Sequence, residues 1–323
     1  MSARTPALAT RDRTTTSAIS SIGLAMVAHS GFGLYVVFVK YLLGYLPSFR
    51  TLALAFSLAL PVVLIVTYPG IAWREFERRE MWLLAALAVG RSITKLIGLQ
   101  FTFAVYVQLV DMAVPLLTPL FAWLLLKERM PSGTPPAILL TTLGTLCVIT
   151  VNPLEMSLPN GSNDLIGIGF AFVSAIFMIL GVVYTRHLTT CASRFRPAGL
   201  FVSQISLVAV GYWVLAAVNH EPWQPFREVG LSVWLVFGLF VVLSIVAAGI
   251  TQTVSISRIK ATLFSALLSW RLAVAAVIGW LLLGEALSSG WQIAGVVLVM
   301  GTISLYLLHQ ARSGRSAIGQ TPL

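Results

Sequence analysis

The sequence predicts an all-α integral membrane protein: ten transmembrane helices arranged as two inverted five-helix repeats. Three observations carry that prediction. The chain is 58% hydrophobic and only 10% charged, whereas a soluble domain carries about 25% charged residues. Its mean hydropathy is +0.90, and the apolar residues gather into runs near the roughly 20 residues needed to cross the hydrocarbon. Finally, the basic residues between the runs fall overwhelmingly on one side, and blocks of the first half recur in the second.

Taken in order, residues 1–17 are polar, with Arg4, Arg11 and Arg13, and are expected to form a cytoplasmic tail. The apolar run after them is too long for a signal-peptide core and lacks a small-residue cleavage site, so it reads as a retained first helix. The spans are predicted at Ile19–Lys40, Leu46–Thr67, Met81–Phe103, Val105–Leu126, Pro136–Val151, Leu165–Arg186, Leu200–Val218, Leu231–Gln252, Ala261–Gly284 and Trp291–His309. Proline and glycine punctuate the connections, as at Tyr68-Pro69-Gly70 and Met130-Pro131-Ser132-Gly133. The first repeat is placed at 18–152 and the second at 163–310, with a second cytoplasmic tail at 311–323. Cys147 falls in an apolar helix and Cys191 in a basic loop, so no disulfide is expected.

The net charge of +10 is distributed as short basic clusters between apolar runs. It therefore reads as an orientation signal and not as a nucleic-acid surface. Arg4, Arg11, Arg13, Arg74, Arg78, Arg79, Lys127, Arg129, Arg186, Arg194, Arg196, Arg258, Lys260, Arg312 and Arg315 share one side, against Lys40 and Arg227 on the other. Both termini are thus expected in the cytoplasm of a cell whose inner membrane the chain crosses repeatedly. The repeat shows in two ordered blocks. Gly23…Lys40…Arg50 has the spacing of Gly169…Arg186…Arg196, and Val114 to Glu128 echoes Arg271 to Glu285. An odd number of helices per repeat inverts the second half, which places a binding site near the midplane between the halves.

Four ionisable residues lie deep in these spans: Arg91 and Lys95 in the third, Asp111 in the fourth and Arg271 in the ninth. Each costs about 2.5–3.5 kcal/mol at the bilayer centre, on the order of 10 kcal/mol together. Such residues are expected to face a wet interior. Arg91 and Lys95 are one helical turn apart and share a face, beside a small stripe of Gly90, Thr94 and Gly98 suited to close helix packing. Three cations against one carboxylate leave a positive surplus, so an anionic ligand is expected as the missing partner. Guanidinium groups grip carboxylate or phosphate through two parallel N–H donors. The alternative is that Asp111 pairs statically with Lys95 or Arg271. Trp270, Gln252 and Tyr106 are further candidates for substrate contact, and Asp111 and His29 for proton coupling. Arg50, near the outer end of the second helix, is expected to anchor at headgroups.

The run Pro119…Leu124-Leu125-Leu126-Lys127-Glu128-Arg129 resembles the signature of the drug/metabolite transporter superfamily, EamA-like branch. So do Leu281-Leu282-Leu283-Gly284-Glu285-Ala286-Leu287 and Leu46-Pro47…Arg50. That resemblance implies a ten-helix carrier whose third, fourth, eighth and ninth helices, with the first and sixth, surround a central cavity. It also implies that Arg91 and Arg271 face each other across that cavity. Together with the buried charges, it implies a secondary transporter moving a small organic anion by alternating access, as a monomer or homodimer in the lipid bilayer. No phosphate-binding loop is present, so ATP is not the direct energy source. The other readings are an exporter of amino acids or amphipathic drugs with internally paired charges, and a non-transporting scaffold or receptor. Neither H-E-x-x-H, nor G-x-S-x-G, nor a pair of intramembrane aspartates occurs. No enzymatic activity, cofactor or metal is expected.

Overall fold

A computed structural model describes residues 7–111, 113, 114, 116, 117, 133–149, 162–186, 188, 195–258, 268–284 and 289–318. Among these the chain is helical, with no strand. The helices are α1 (Ala7–Leu43), α2 (Ser48–Thr67), α3 (Arg79–Phe101), α4 (Ala104–Asp111), α5 (Thr134–Ile149), α6 (Ser162–Arg186) and α7 (Pro197–Val218). They are followed by α8 (Leu231–Leu239), a π-helical segment Phe240–Ala247, α9 (Ala248–Arg258), α10 (Leu268–Leu283) and α11 (Gly290–Ile318). The segment from α8 to α9 is a single continuous rod. Tyr68–Gly70 and Trp73–Glu77 are short 3₁₀ turns, the first carrying the Pro-Gly pair that ends α2.

Among the described residues six helices are long and apolar enough to cross a membrane: Gly23–Leu43, Ser48–Gly70, Arg79–Phe101, Ser162–Thr185, Pro197–Val218 and Leu231–Gln252. Three shorter apolar helices are Pro135–Val148, Trp270–Leu283 and Gly290–Tyr306. The spans expected from sequence thus coincide with helices wherever residues are described. At both ends helix reaches into the expected tails, since α1 starts at Ala7 and α11 runs to Ile318. Between Pro6 and the first span no proline interrupts, and Ala and Arg are strong helix formers. The signature residues 118–129 and 285–287, and most of the fourth expected span, lie outside the described residues.

Large apolar side chains point outward from several helices, among them Ile65, Leu139, Leu165, Val214, Leu235, Val297 and Leu305. An aqueous surface does not tolerate that much exposed apolar area, whereas lipid does. Inside, small residues set the closest approaches. A methyl added to Gly98 would stand 3.0 Å from the Gly167 carbonyl oxygen, and one at Gly90 would meet the Phe177 ring at 2.9 Å. The predicted small stripe of α3 therefore seats α6, as close packing in lipid requires.

Each of α2 and α7 begins without a side-chain cap of its own. Glu221, just beyond α7, accepts the backbone N–H groups of Phe49 at 3.1 Å and Arg50 at 2.6 Å and the Ser48 hydroxyl at 3.3 Å. Glu75, just beyond α2, accepts the N–H of Arg196 with both oxygens, at 3.0 and 3.1 Å. A carboxylate at a helix N-terminus satisfies orphan donors and meets the positive end of the helix dipole. Glu75 and Glu221 have the same sequence separation as Arg50 and Arg196. The two helices run antiparallel side by side, with Phe56 stacked on Tyr212 and Trp213 donating to the Ser57 hydroxyl at 2.9 Å.

Candidate binding cavity

The charged constellation is assembled by α1, α3, α4 and α10. On α3, Arg91 and Lys95 project from one face, and the backbone there is pinned from α6, where the buried Ser174 hydroxyl donates to the Arg91 carbonyl at 2.9 Å. Lys95 Nζ donates to Asp111 Oδ2 at 2.5 Å, with the two side chains 8% and 2% exposed. This is the static pairing the sequence left open, and among the described residues it is the only ion pair. Lys95 Nζ also lies 5.8 Å from the centre of the Tyr35 ring on α1.

Arg271 reaches the same region from α10. Gly33 of α1 lets the helices meet, since a methyl there would come within 2.8 Å of the Arg271 carbonyl oxygen. Arg271 is 2% exposed. Its Nε donates to His29 Nδ1 at 2.8 Å, and its guanidinium carbon lies 4.5 Å from the centre of the Phe32 ring. The half-buried Arg91 guanidinium has no hydrogen-bond acceptor or carboxylate among the described residues.

These side chains border one cavity of about 120 Å³, on which Arg91, Lys95 and Arg271 all open. The remaining walls are Phe32, Tyr35, Phe56, Ala88, Ser92, Phe201, Gln204, Ile205, Val208, Ser244, Ile245 and Gly249. Ser92 is fixed by Tyr212, whose hydroxyl donates to the Ser92 carbonyl at 2.8 Å while lying 2.8 Å from its Oγ. An apolar chamber with a few convergent polar groups is the usual form of a small-molecule site. With Asp111 committed to Lys95, the chemistry left over is that of two guanidinium groups without a carboxylate.

The other sequence candidates sit elsewhere. Trp270 is 41% exposed and donates to the Ser30 hydroxyl at 2.8 Å. It precedes Arg271 on the helix and so points about 100° away from it. Tyr106 is buried in a separate apolar cluster, edge-on to Phe103 and 3.4 Å from Gln292 Nε2. Gln252 is half-buried on α9, outside the lining. The Arg50 guanidinium lies 4.4 Å over the Trp223 ring, with Nε and Nη1 buried. Sequence reasoning passed over Gln204 and Ser244, though each is an isolated polar residue in a strongly apolar run. The aromatic walls gave no signal distinct from ordinary core.

Residues 19–150 match the EamA-like transporter family. Over those residues, the first of the two repeats expected from sequence, the chain is similar to that family. An uncharacterized transporter of Clostridium kluyveri is 28% identical over 211 residues, which are 62% of this chain and 63% of that protein. The match thus spans less than two thirds of that relative's length. An uncharacterized transporter of Bacillus subtilis is 24% identical over 282 residues, 83% of this chain and 86% of its own. One crystal structure shares the fold at 18% identity, with a TM-score of 0.66 over 91% of this chain and 98% of that one. The family match over residues 19–150 and the apolar helices together make the chain a multi-pass membrane protein.

Proposed function

We propose that the chain is a secondary carrier that moves a small organic anion across the inner membrane by alternating access. The observation that carries this is the charge arrangement of the cavity. Arg91 and Arg271, from helices in different halves, open on it without a carboxylate of their own among the described residues, while Asp111 is held by Lys95. The site therefore keeps a positive surplus that an anion would neutralise, and desolvated guanidinium pairs favour carboxylate or phosphate. Two inverted five-helix repeats with both termini cytoplasmic complete the proposal. It is supported by the repeated sequence blocks and by Glu75 and Glu221, corresponding residues that each cap a helix of the other half.

The test is binding by purified protein in detergent, read as ligand-induced thermal stabilisation, followed by flux into proteoliposomes. Carboxylates or phosphate esters are expected to stabilise the protein. Arg91→Lys and Arg271→Lys are each expected to weaken that binding about 10- to 150-fold, since one hydrogen bond to a charged group is worth roughly 1.5–3 kcal/mol. Stabilisation only by cations or neutral compounds, unaffected by either variant, refutes the anion reading. A second reading, export of amino acids or amphipathic drugs, is favoured by the Lys95–Asp111 pair and the Arg271–His29 bond, which show two of the three cations engaged internally.

A further inference from the structure

Part of the cavity wall is formed by the π-helical segment Phe240–Ala247, which interrupts an otherwise α-helical stretch. Wide turns of this kind are uncommon and recur at functional sites. Ser244 lies within it, is 1% exposed, and borders the cavity, yet its hydroxyl has no hydrogen-bond partner. The buried hydroxyls of Ser255 and Thr141 also lack a partner but do not border the cavity, and other helical hydroxyls nearby are paired. Thr94 donates to the Gly90 carbonyl at 2.7 Å, Ser206 to Val202 at 2.9 Å and Thr251 to Ala247 at 2.6 Å. Each makes the bond to the preceding turn that buried helical Ser and Thr ordinarily make. In the widened turn Ser244 forgoes it. A buried hydroxyl left unpaired is unfavourable and calls for a partner.

The rest of the chamber restricts what that partner is. Beyond the arginines and the paired Lys95, the walls include apolar Phe56, Phe201, Ile205, Val208 and Ile245 and polar Tyr35, Ser92 and Gln204, and no third unpaired cation borders it among the described residues. A cavity of about 120 Å³ suits a short-chain acid better than a bulky nucleotide. We propose that Ser244 is a substrate-binding residue, and that the ligand is a short, branched or aromatic-free carboxylate bearing one further polar group. Its carboxylate takes Arg91 and Arg271, its hydrocarbon body takes the apolar wall, and the polar group pairs with Ser244. This rests on the reading of the cavity as an anion site and adds to it the recognition of the tail.

Two probes that differ by one hydroxyl on the hydrocarbon tail test it: 3-methylbutanoate and 3-hydroxy-3-methylbutanoate, titrated into the purified full-length protein in detergent by calorimetry. The parent is expected to bind the hydroxy acid about 3- to 10-fold more tightly, the worth of one neutral hydrogen bond. Ser244→Ala and the nearly isosteric Ser244→Cys are expected to abolish that preference while leaving the affinity for 3-methylbutanoate unchanged. An unliganded melting temperature equal to the parent's shows that both variants fold. If both acids bind and Ser244→Ala leaves their ratio intact, the assignment of Ser244 is wrong and the anion site stands. If neither acid binds the parent protein but phosphate esters do, the ligand class proposed here is wrong. If no anion binds, the anion site itself falls as well.

Discussion

The Lys95–Asp111 pair supplies the most demanding test of how the cavity's charge is set. Its side chains are 8% and 2% exposed, so removing one partner strands the other as a buried charge. Stranding a charge costs about 3–5 kcal/mol, whereas replacing both partners by apolar residues of similar volume is often neutral or stabilising. Asp111→Asn keeps the shape but discards the charge, and Lys95→Met keeps most of the aliphatic stem. At roughly 2–4 °C per kcal/mol for a chain of 150–250 residues, each single variant is expected to melt on the order of 10 °C below the parent. The double variant Lys95→Met/Asp111→Leu is expected to melt near the parent, so the two effects are strongly non-additive, as contacting residues are. The measurement is thermal unfolding of detergent-purified protein. The double variant is also expected to bind anions, because Arg91 and Arg271 remain. If Asp111→Asn melts within a degree or two of the parent, Asp111 is not held against Lys95. The charge count that leaves two arginines in surplus then fails with it.

Other consequences can be measured independently. Gly249→Ala places a methyl 2.0 Å from the Phe201 ring, so ligand binding is expected to weaken at least tenfold as that ring is driven into the cavity; unchanged affinity counts against this chamber as the site. His29→Leu removes the acceptor of Arg271 Nε and is expected to weaken anion binding about 3- to 10-fold by releasing the guanidinium from its position; unchanged affinity shows that this bond does not position Arg271. Reporter fusions after Arg13 and after Arg312 are both expected in the cytoplasm, and opposite locations would overturn the five-plus-five arrangement. Glu221→Gln and Glu75→Gln each weaken a charge-assisted cap, worth about 1.5–3 kcal/mol. They are expected to shift cysteine accessibility of the cavity toward opposite faces, and shifts of the same sign contradict alternating access through these contacts.

The helices were legible because lipid imposes a single rule on length and polarity, and α2, α3, α6 and α7 begin and end within a few residues of their expected positions. The convergence of Arg91, Lys95 and Arg271 on one chamber was equally legible, since buried charge has few places to go. Which cation Asp111 would choose was not, because Lys95 and Arg271 were both open to it until the crossing of α3 and α4 was fixed. Trp270 shows a different limit. Adjacency in sequence to Arg271 says nothing about sharing its face, and one step along a helix turned the indole outward. The π-helical segment carried no sequence signal beyond a serine among valines and leucines. Its geometry arises from packing, where Gly31 of α1 lies so close to the Leu243 carbonyl that a methyl would approach it to 2.6 Å.

The exchange of caps between α2 and α7 bears on how such a chain is built and inherited. Neither half contains the carboxylate that completes its own helix, for Glu221 serves Ser48 to Arg50 and Glu75 serves Arg196. A half expressed alone would present the bare start of a helix at the membrane surface, with water as its only acceptor. Co-production of residues 1–152 and 163–323 as separate polypeptides is expected to restore both contacts in trans. If the chain arose from two copies of one five-helix unit, as proposed, this pair of glutamates gives a chemical reason why the copies no longer work apart.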